Sequence, residues 1–316
     1  LTILTQERLV VRRQGSGTYV LKPEEAAQHV AILCELDLTH PQTSYFYRRL
    51  VRELRRDLTA AGYHSRAYMG FRTPVDDPAP SELTCPDFLH DLSMDRLNGM
   101  VTVATLPFPQ WHDPVRRAGI PVVGLGYRVG PTIAMDREAI GAELARHFTI
   151  LDCRRVGVIG WGEDHGLPDA LRQQGLHVRP EWIHTETHPL TPRAGQVAVE
   201  HLWQKADGSL DGIFITDAHF WNDFVVAALK LGLDVPGAVR LVLATKVGLP
   251  HLDAFPVTRL EQDVDEVAAA LTKSLVAKLE GRNLRRTTTI IPHHWNFDHA
   301  ACSPTITNAT HAGHTP

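Results

Sequence analysis

Between residues 30 and 245, short and nearly unbroken apolar runs alternate with amphipathic segments, and the alternation runs through twice. The first series opens with the strand-like VAILCEL (30–36). TSYFYRRLVRELRRDLTAAG (43–62) follows, with Phe46, Leu50, Leu54 and Leu58 at helical spacing and Gly62 as a stop. HSRAYMG (64–70), MVTVAT (100–105) and IPVVGLG (120–126) read as strands, with helices over ELTCPDFLHDLSMDRLNG (82–99) and HDPVRRAG (112–119). The second series predicts helices over 137–152, 166–175, 193–205 and 221–232. Its strands are RRVGVIG (154–160), VRPEWIH (178–184), LDGIFITD (210–217) and VRLVLAT (239–245). A crossover through PVTRLEQ, a long helix at 262–280 and a terminal strand RTTTIIPH close the pattern.

Strands this apolar, each followed by a helix, belong in parallel sheets covered on both faces. The expected fold class is therefore α/β, with two doubly wound parallel-sheet lobes. The first lobe takes residues 30–126 and 256–291, and the second takes 127–255 and 292–296. A hairpin at 1–21 and a polar, alanine-rich linker at 22–29 precede them, and the Pro- and Thr-containing stretch 297–316 reads as a disordered tail. Ligands of open parallel sheets bind outside the carboxyl ends of the strands. Two facing lobes are expected to leave an interlobe cleft that closes by hinge motion.

With 316 residues and a net charge of −4, the chain as a whole is no polyanion binder, so any nucleic-acid affinity must be local. Cys34, Cys85, Cys153 and Cys302 lie far apart without a CxxC pair, which excludes a zinc ribbon or a dense disulfide framework. The 18 histidines are scattered; the closest group, His293, His294 and His299, has no supporting carboxylates, so no metal is expected. No apolar stretch approaches the ~18 residues a membrane helix needs. Residues 1–20 lack the continuous apolar region of a signal peptide. The expectation is a cytoplasmic protein without a cofactor and without a membrane partner.

The local basic feature is ERLVVRRQGSGTYV (7–20). Gly15 and Gly17 permit the positive φ of a tight hairpin turn, and Arg8, Arg12 and Arg13 put cations on strands that can lie beside phosphates. A solvated surface hairpin is the alternative for this string alone.

Candidate ligand contacts are the residues just past the strand ends. Thr39, His40, Tyr45 and Phe46 follow the first strand, Arg72 the second, and Tyr127 and Asp136 the last of the first series. Trp161, Asp217, His219 and Trp221 follow strands of the second series. Aromatic faces ringed by carboxylates and guanidinium groups suit a sugar or a nucleobase. Phe46 also fits a core position beside Leu50, and Asp136 also fits a cap for the helix at 137. Trp182 and Trp203 are read as packing.

Residues 30–296 resemble the effector domain of LacI/GalR-type repressors, which share their fold with periplasmic sugar-binding proteins. The stretches AMDREAIGAELARHFTILDCRRVGVIG (134–160), GLPDALRQQGLHV (166–178), LDGIFITDAHFWNDFVVAALKLGLDVPGAVRLV (210–242) and PVTRLEQDVDEVAAALTKSLVAKLEG (256–281) carry the resemblance. LTQERLVVRRQGSGTYV is similar to the end of the recognition helix and the wing of a GntR-type winged helix. A wing, a linker and a two-lobed sensor together resemble AraR-like regulators. The resemblance implies a homodimeric DNA-binding regulator, acting as a repressor, whose small-molecule effector alters operator affinity. Only the wing stands here, so the helical part of the DNA-binding domain is expected outside this chain.

Two positions depart from the family pattern. Sugar-responsive members carry an arginine three residues before the glycine that opens the helix after GVIG, where this chain has Glu163 before Gly166. They also carry an aspartate in a GFD triplet, where this chain has Thr245 and then Lys246. Both Glu163 and Lys246 join the candidate ligand contacts, with the charge offered to the ligand reversed.

Catalysis is not expected. GLGYRVG (124–130) lacks the glycine spacing of a dinucleotide fingerprint, and the chain has neither a GxxxxGK[ST] phosphate loop nor a GxSxG elbow. The alternative function is a solute-binding protein of a sugar transport system, which a leader peptide upstream would favour.

Overall fold

A computed structural model describes residues 10–13, 17–20, 28–73, 85–104, 110–125, 132–134, 137–162, 166–249, 252–282, 289–290 and 293–296. The chain divides into two compact units, Leu1–Met135 with Val264–Ile291 and Asp136–Asp263 with Pro292–Pro316. In the first, β1 (Val10–Arg13) and β2 (Gly17–Val20) form an antiparallel hairpin.

The first sheet contains β3 (His29–Leu36), β4 (Ser65–Arg72), β5 (Leu97–Ala104), β6 (Val122–Leu125), β7 (Thr132–Ala134) and β13 (Thr289–Ile290), in the order β13-β7-β6-β5-β3-β4. All its pairings are parallel. Helix α1 (Tyr45–Ala60) starts at Ser44, whose hydroxyl accepts the Phe46 N–H. Its apolar stripe, Phe46, Leu50, Leu54 and Leu58, packs on one face of the sheet together with Val267, Leu271 and Leu275 of α8 (Val264–Leu279). The other face is covered by Phe88 of α2 (Pro86–Ser93) and by Trp111 and Val115 at α3 (His112–Arg117).

Where these strands begin, the carboxylate of Asp91, 1% exposed, gathers three hydrogen-bond donors. Arg66 and Arg96 donate to it at 2.6 and 3.1 Å, and the Tyr68 hydroxyl donates at 2.7 Å. Since that hydroxyl spends its only proton on Asp91, His29 Nε2 must carry the proton shared with Tyr68 at 2.6 Å.

The second sheet contains β8 (Val156–Ile159), β9 (Ile183–His184), β10 (Gly212–Ile215), β11 (Arg240–Lys246), β12 (Thr258–Gln262) and β14 (His294–Asn296), in the order β14-β12-β11-β10-β8-β9. All pairs are parallel except β12 with β14. Helices α6 (Ala194–Ala206) and α7 (Trp221–Lys230) cover one face, and α4 (Arg137–Ile150) and α5 (Leu167–Gln173) cover the other.

His147 of α4 is 7% exposed and lies 3.1 Å from the Thr258 hydroxyl. Burial, reinforced by Arg146, pulls its imidazole from 6.5 down to about 4. A lowered folded-state pKa means that the unfolded chain takes up the proton first. Stability is therefore whole above pH 6.5 and falls as pH drops toward 4, by about 2–3 kcal/mol from this group. Chemical denaturation across that range should show the loss, and His147→Gln should flatten it; an unchanged slope would remove the assignment.

Four sequence expectations need correction. PVTRLEQ is not a plain crossover: Thr258–Gln262 is a strand parallel to β11, which puts 256–263 in the second unit. Thr132–Ala134 pairs with β6, which puts that stretch in the first. VRPEWIH is not one strand but a 3-10 turn, Pro180–Trp182, before a two-residue strand, because Pro180 fits a helical start but cannot donate to a ladder. The helix expected over 82–99 is Pro86–Ser93, ending before the strand at Leu97. The tail 297–316 and most of the linker 22–29 lie outside the described residues.

Candidate functional site

In both sheets the first strand of the series lies between the second and the third, so β3 sits between β4 and β5, and β8 between β9 and β10. Where the winding reverses, the connections leave on opposite faces and open a crevice at the carboxyl ends of the strands. Each unit thus has its candidate site there.

In the second unit the edge begins at Gly160, which follows β8 directly. A Cβ on Gly160 would stand 2.8 Å from the Thr216 hydroxyl, so a bare backbone is needed for the two loops to pass. Trp161 follows, half exposed, with its ring edge-on to His188 at 4.5 Å. Asp217 follows β10 and caps the short turn Ala218–Phe220. Its Oδ1 accepts both the His219 backbone N–H at 2.9 Å and His219 Nδ1 at 2.7 Å. Lys246 ends β11 and donates to Oε1 of its register partner Gln262 at 2.6 Å.

The charges at this edge tune one another. Burial pushes the Asp217 carboxyl up, but the His219 hydrogen bond, that ring's charge and Lys246 outweigh it and hold it below the usual range. The same hydrogen bond raises His219. Burial lowers Lys246 to about 8 against the opposing pull of Asp217. Burial also lowers His188, and burial with Lys246 lowers His293 to about 4. The result is an indole face, a neutral imidazole, a carboxylate–imidazole pair and an ammonium group along one sheet edge. Such a set hydrogen-bonds and stacks; among the described residues no group of three or more His, Cys, Asp or Glu is placed to hold a metal ion.

In the first unit, Asp37 follows β3 and folds back on itself. Its Oδ1 accepts the Thr39 N–H and hydroxyl at 2.8 and 2.6 Å, which holds its carboxyl below the usual range. The Asp37 N–H donates to the Arg72 carbonyl at 2.8 Å and joins the ends of β3 and β4. Thr39 and Tyr45 are exposed, and His40 is half-buried with Nδ1 accepting the Gln42 N–H.

Trp221 must be corrected as a candidate contact. It is fully buried, stacked on Phe224, and its indole N–H donates to the Leu252 carbonyl at 2.8 Å. Phe46 is likewise in the core, as its spacing with Leu50 allowed, and so is Trp182, while Trp203 packs against the core. Tyr127, Asp136 and Glu163, and Arg8 and Gly15 of the hairpin, lie outside the described residues. Arg12 and Arg13 sit on β1 opposite Thr18 and Gly17. His188 and Gln262 are additions: the first lies in an irregular loop, the second on the unrecognised strand β12. A hollow lined by Glu143, Arg146, Thr149, Ile150 and Gln174 lies on the helices rather than at the strand ends.

No protein-family model matches the chain, and no curated protein sequence does. Solved structures do. A PurR family transcriptional regulator from Vibrio parahaemolyticus matches with TM-score 0.67 and 15% identity, over 86% of this chain and 98% of that one. The transcriptional regulator CelR in complex with cellobiose matches with TM-score 0.65 and 16% identity, over 85% and 84%. The Cra transcriptional dual regulator from Pseudomonas putida in complex with fructose 1-phosphate matches with TM-score 0.62 and 16% identity, over 85% and 98%. The chain shares their fold. Among its described residues no helix is long and apolar enough to cross a membrane.

Proposed function

We propose that this chain is the ligand-sensing part of a cytoplasmic, homodimeric transcription regulator and has no catalytic activity of its own. A small polar molecule binds at the carboxyl ends of the strands and changes the affinity of an attached DNA-binding element for its operator. One observation carries the reading: Trp161, His188, Asp217, His219 and Lys246 share the strand ends around the reversal of winding in the second sheet. The shared fold with regulators solved around cellobiose and fructose 1-phosphate supports it. For the hairpin, the reading is a GntR-type wing, with Arg12 and Arg13 on β1 lying along phosphates. The mode is repression relieved or strengthened by the ligand, with a coupling of about 1–3 kcal/mol between ligand and operator.

Isothermal titration calorimetry with a panel of sugars, sugar derivatives and nucleosides tests the sensing step. Saturable binding of one class is expected. Asp217→Ala should weaken it by at least about 10-fold while lowering the melting temperature by only about 2–4 °C, the loss of one cap. Silence across the panel, or a large fall in melting temperature that makes Asp217 structural, counts against the reading.

A further inference from the structure

Arg72 ends β4, one strand away from the reversal of winding in the first sheet. Its backbone is fixed by register with Leu36 and by the Asp37 N–H on its carbonyl. Its side chain is half-buried, and its Nε is shut off from solvent with no hydrogen-bond partner. The Nε atoms of Arg49, Arg96 and Arg259 are likewise buried without a hydrogen bond, but each of those guanidinium groups is paired with a carboxylate, Asp265, Asp91 and Glu261 respectively, and Arg240 donates to the Pro236 carbonyl.

The carboxylates flanking Leu36 are engaged elsewhere. Asp37 Oδ1 takes the two Thr39 donors, and Glu35 Oε1 accepts the Trp111 indole N–H at 3.2 Å. A guanidinium stays charged at any physiological pH and presents a planar fork that matches an oxyanion. Among the described residues no carboxylate is paired with it, unlike Arg49, Arg96 and Arg259, so the rest of its fork is the place for an oxyanion from solution.

The second unit, taken by itself, has the same sign at its strand ends. Lys246 supplies an ammonium group, and Asp217 is already committed to His219. Beside Lys246, the hydroxyl of Thr245, 4% exposed, also lacks a partner.

We propose that the molecule recognised is an organic anion, a carboxylate or phosphate carried on a small polar skeleton, with Arg72 taking up the oxyanion. This rests on the ligand-sensing reading above and narrows it. The test is calorimetry on the full chain with matched probes: glucose, glucuronate and glucose 6-phosphate; adenosine and AMP; inorganic phosphate and acetate alone.

An anionic probe should bind at least about 10-fold more tightly than its neutral counterpart. Arg72→Met should remove about 10- to 100-fold of that affinity, and Arg72→Lys should recover part of it, the charge without the fork. Glucuronate against glucose 6-phosphate distinguishes carboxylate from phosphate. If a neutral probe binds as well as its anion, or if Arg72→Met leaves anion binding intact, the anion proposal falls and the sensing reading survives. If nothing organic binds, both fall, and binding of inorganic phosphate alone does not rescue them. Melting curves of both variants separate loss of fold from loss of contact.

Discussion

Gly195→Ala is expected to unfold the second unit or to cost it at least about 3 kcal/mol, although the same change usually stabilises a helix by about 0.5–1 kcal/mol. Gly195 lies in the first turn of α6, where α6 meets the start of α7. A Cβ there would stand 2.0 Å from the Phe220 carbonyl oxygen and 2.6 Å from the Phe224 nitrogen. Both are backbone atoms, so no rotamer change relieves the overlap; the helices must part. Parting them separates Phe220, Phe224 and Trp221 from the rest of their cluster and displaces the turn that Asp217 caps. Denaturant titration followed by tryptophan fluorescence reads the stability, and calorimetry reads the ligand site. A midpoint like that of the parent would show that α6 and α7 are not in contact at this point.

The second large effect belongs to Asp91 in the first unit. Asp91→Ala is expected to cost about 3–5 kcal/mol, the range for removing one partner of a buried ionic group. It leaves Tyr68 without its acceptor, and Arg66 and Arg96 without their shared counter-charge. Tyr68→Phe removes two hydrogen bonds, one to Asp91 and one from His29, but leaves the charges paired, and should cost about 1–2 kcal/mol. Equal losses for the two variants would mean that the Tyr68 hydroxyl carries the effect and that the pairing of Asp91 with Arg66 and Arg96 adds nothing.

Acidification should weaken the same cluster. Burial alone would raise the Asp91 carboxyl, but the Tyr68 hydroxyl, Arg66 and Arg96 outweigh it and hold it below 3.8. Its contribution is therefore whole above pH 3.8 and lost below. Burial lowers His29 from 6.5 against the opposing pull of Asp91, so the unfolded chain protonates first and stability begins to fall below pH 6.5. Both shifts have the same sign. Melting temperature should drop in two stages on acidification, and the lower stage should vanish in Asp91→Ala.

Much of the fold was legible because buried parallel strands and their helices impose local patterns. Within HVAILCEL the run Val30–Cys34 is unbroken apolar because both faces of β3 are covered. The stripe Phe46, Leu50, Leu54 and Leu58 has the helical period because one side of α1 is buried. TRLEQ lacked such a signature: its five residues mix polar with apolar, and its burial comes from β11, β14 and His147, all distant in sequence. Trp221 misled for a related reason. An aromatic residue after a strand end looks the same whether it faces a ligand or the Leu252 carbonyl, and that carbonyl comes from a loop 31 residues on.

The sequence by itself determined the α/β class, the strongly patterned runs that become buried strands and amphipathic helices, and the chemistry available just past the strand ends. These follow from hydrophobic period and from turn and cap residues, which act within a few neighbours along the chain. Only the tertiary structure decided the partners. It paired Asp217 with His219 rather than leaving it bare, joined Lys246 to Gln262, gathered Arg66, Tyr68 and Arg96 on Asp91, and left the Arg72 Nε without an acceptor. Burial and hydrogen-bond satisfaction depend on which groups meet in space, and that is fixed when the sheets order their strands.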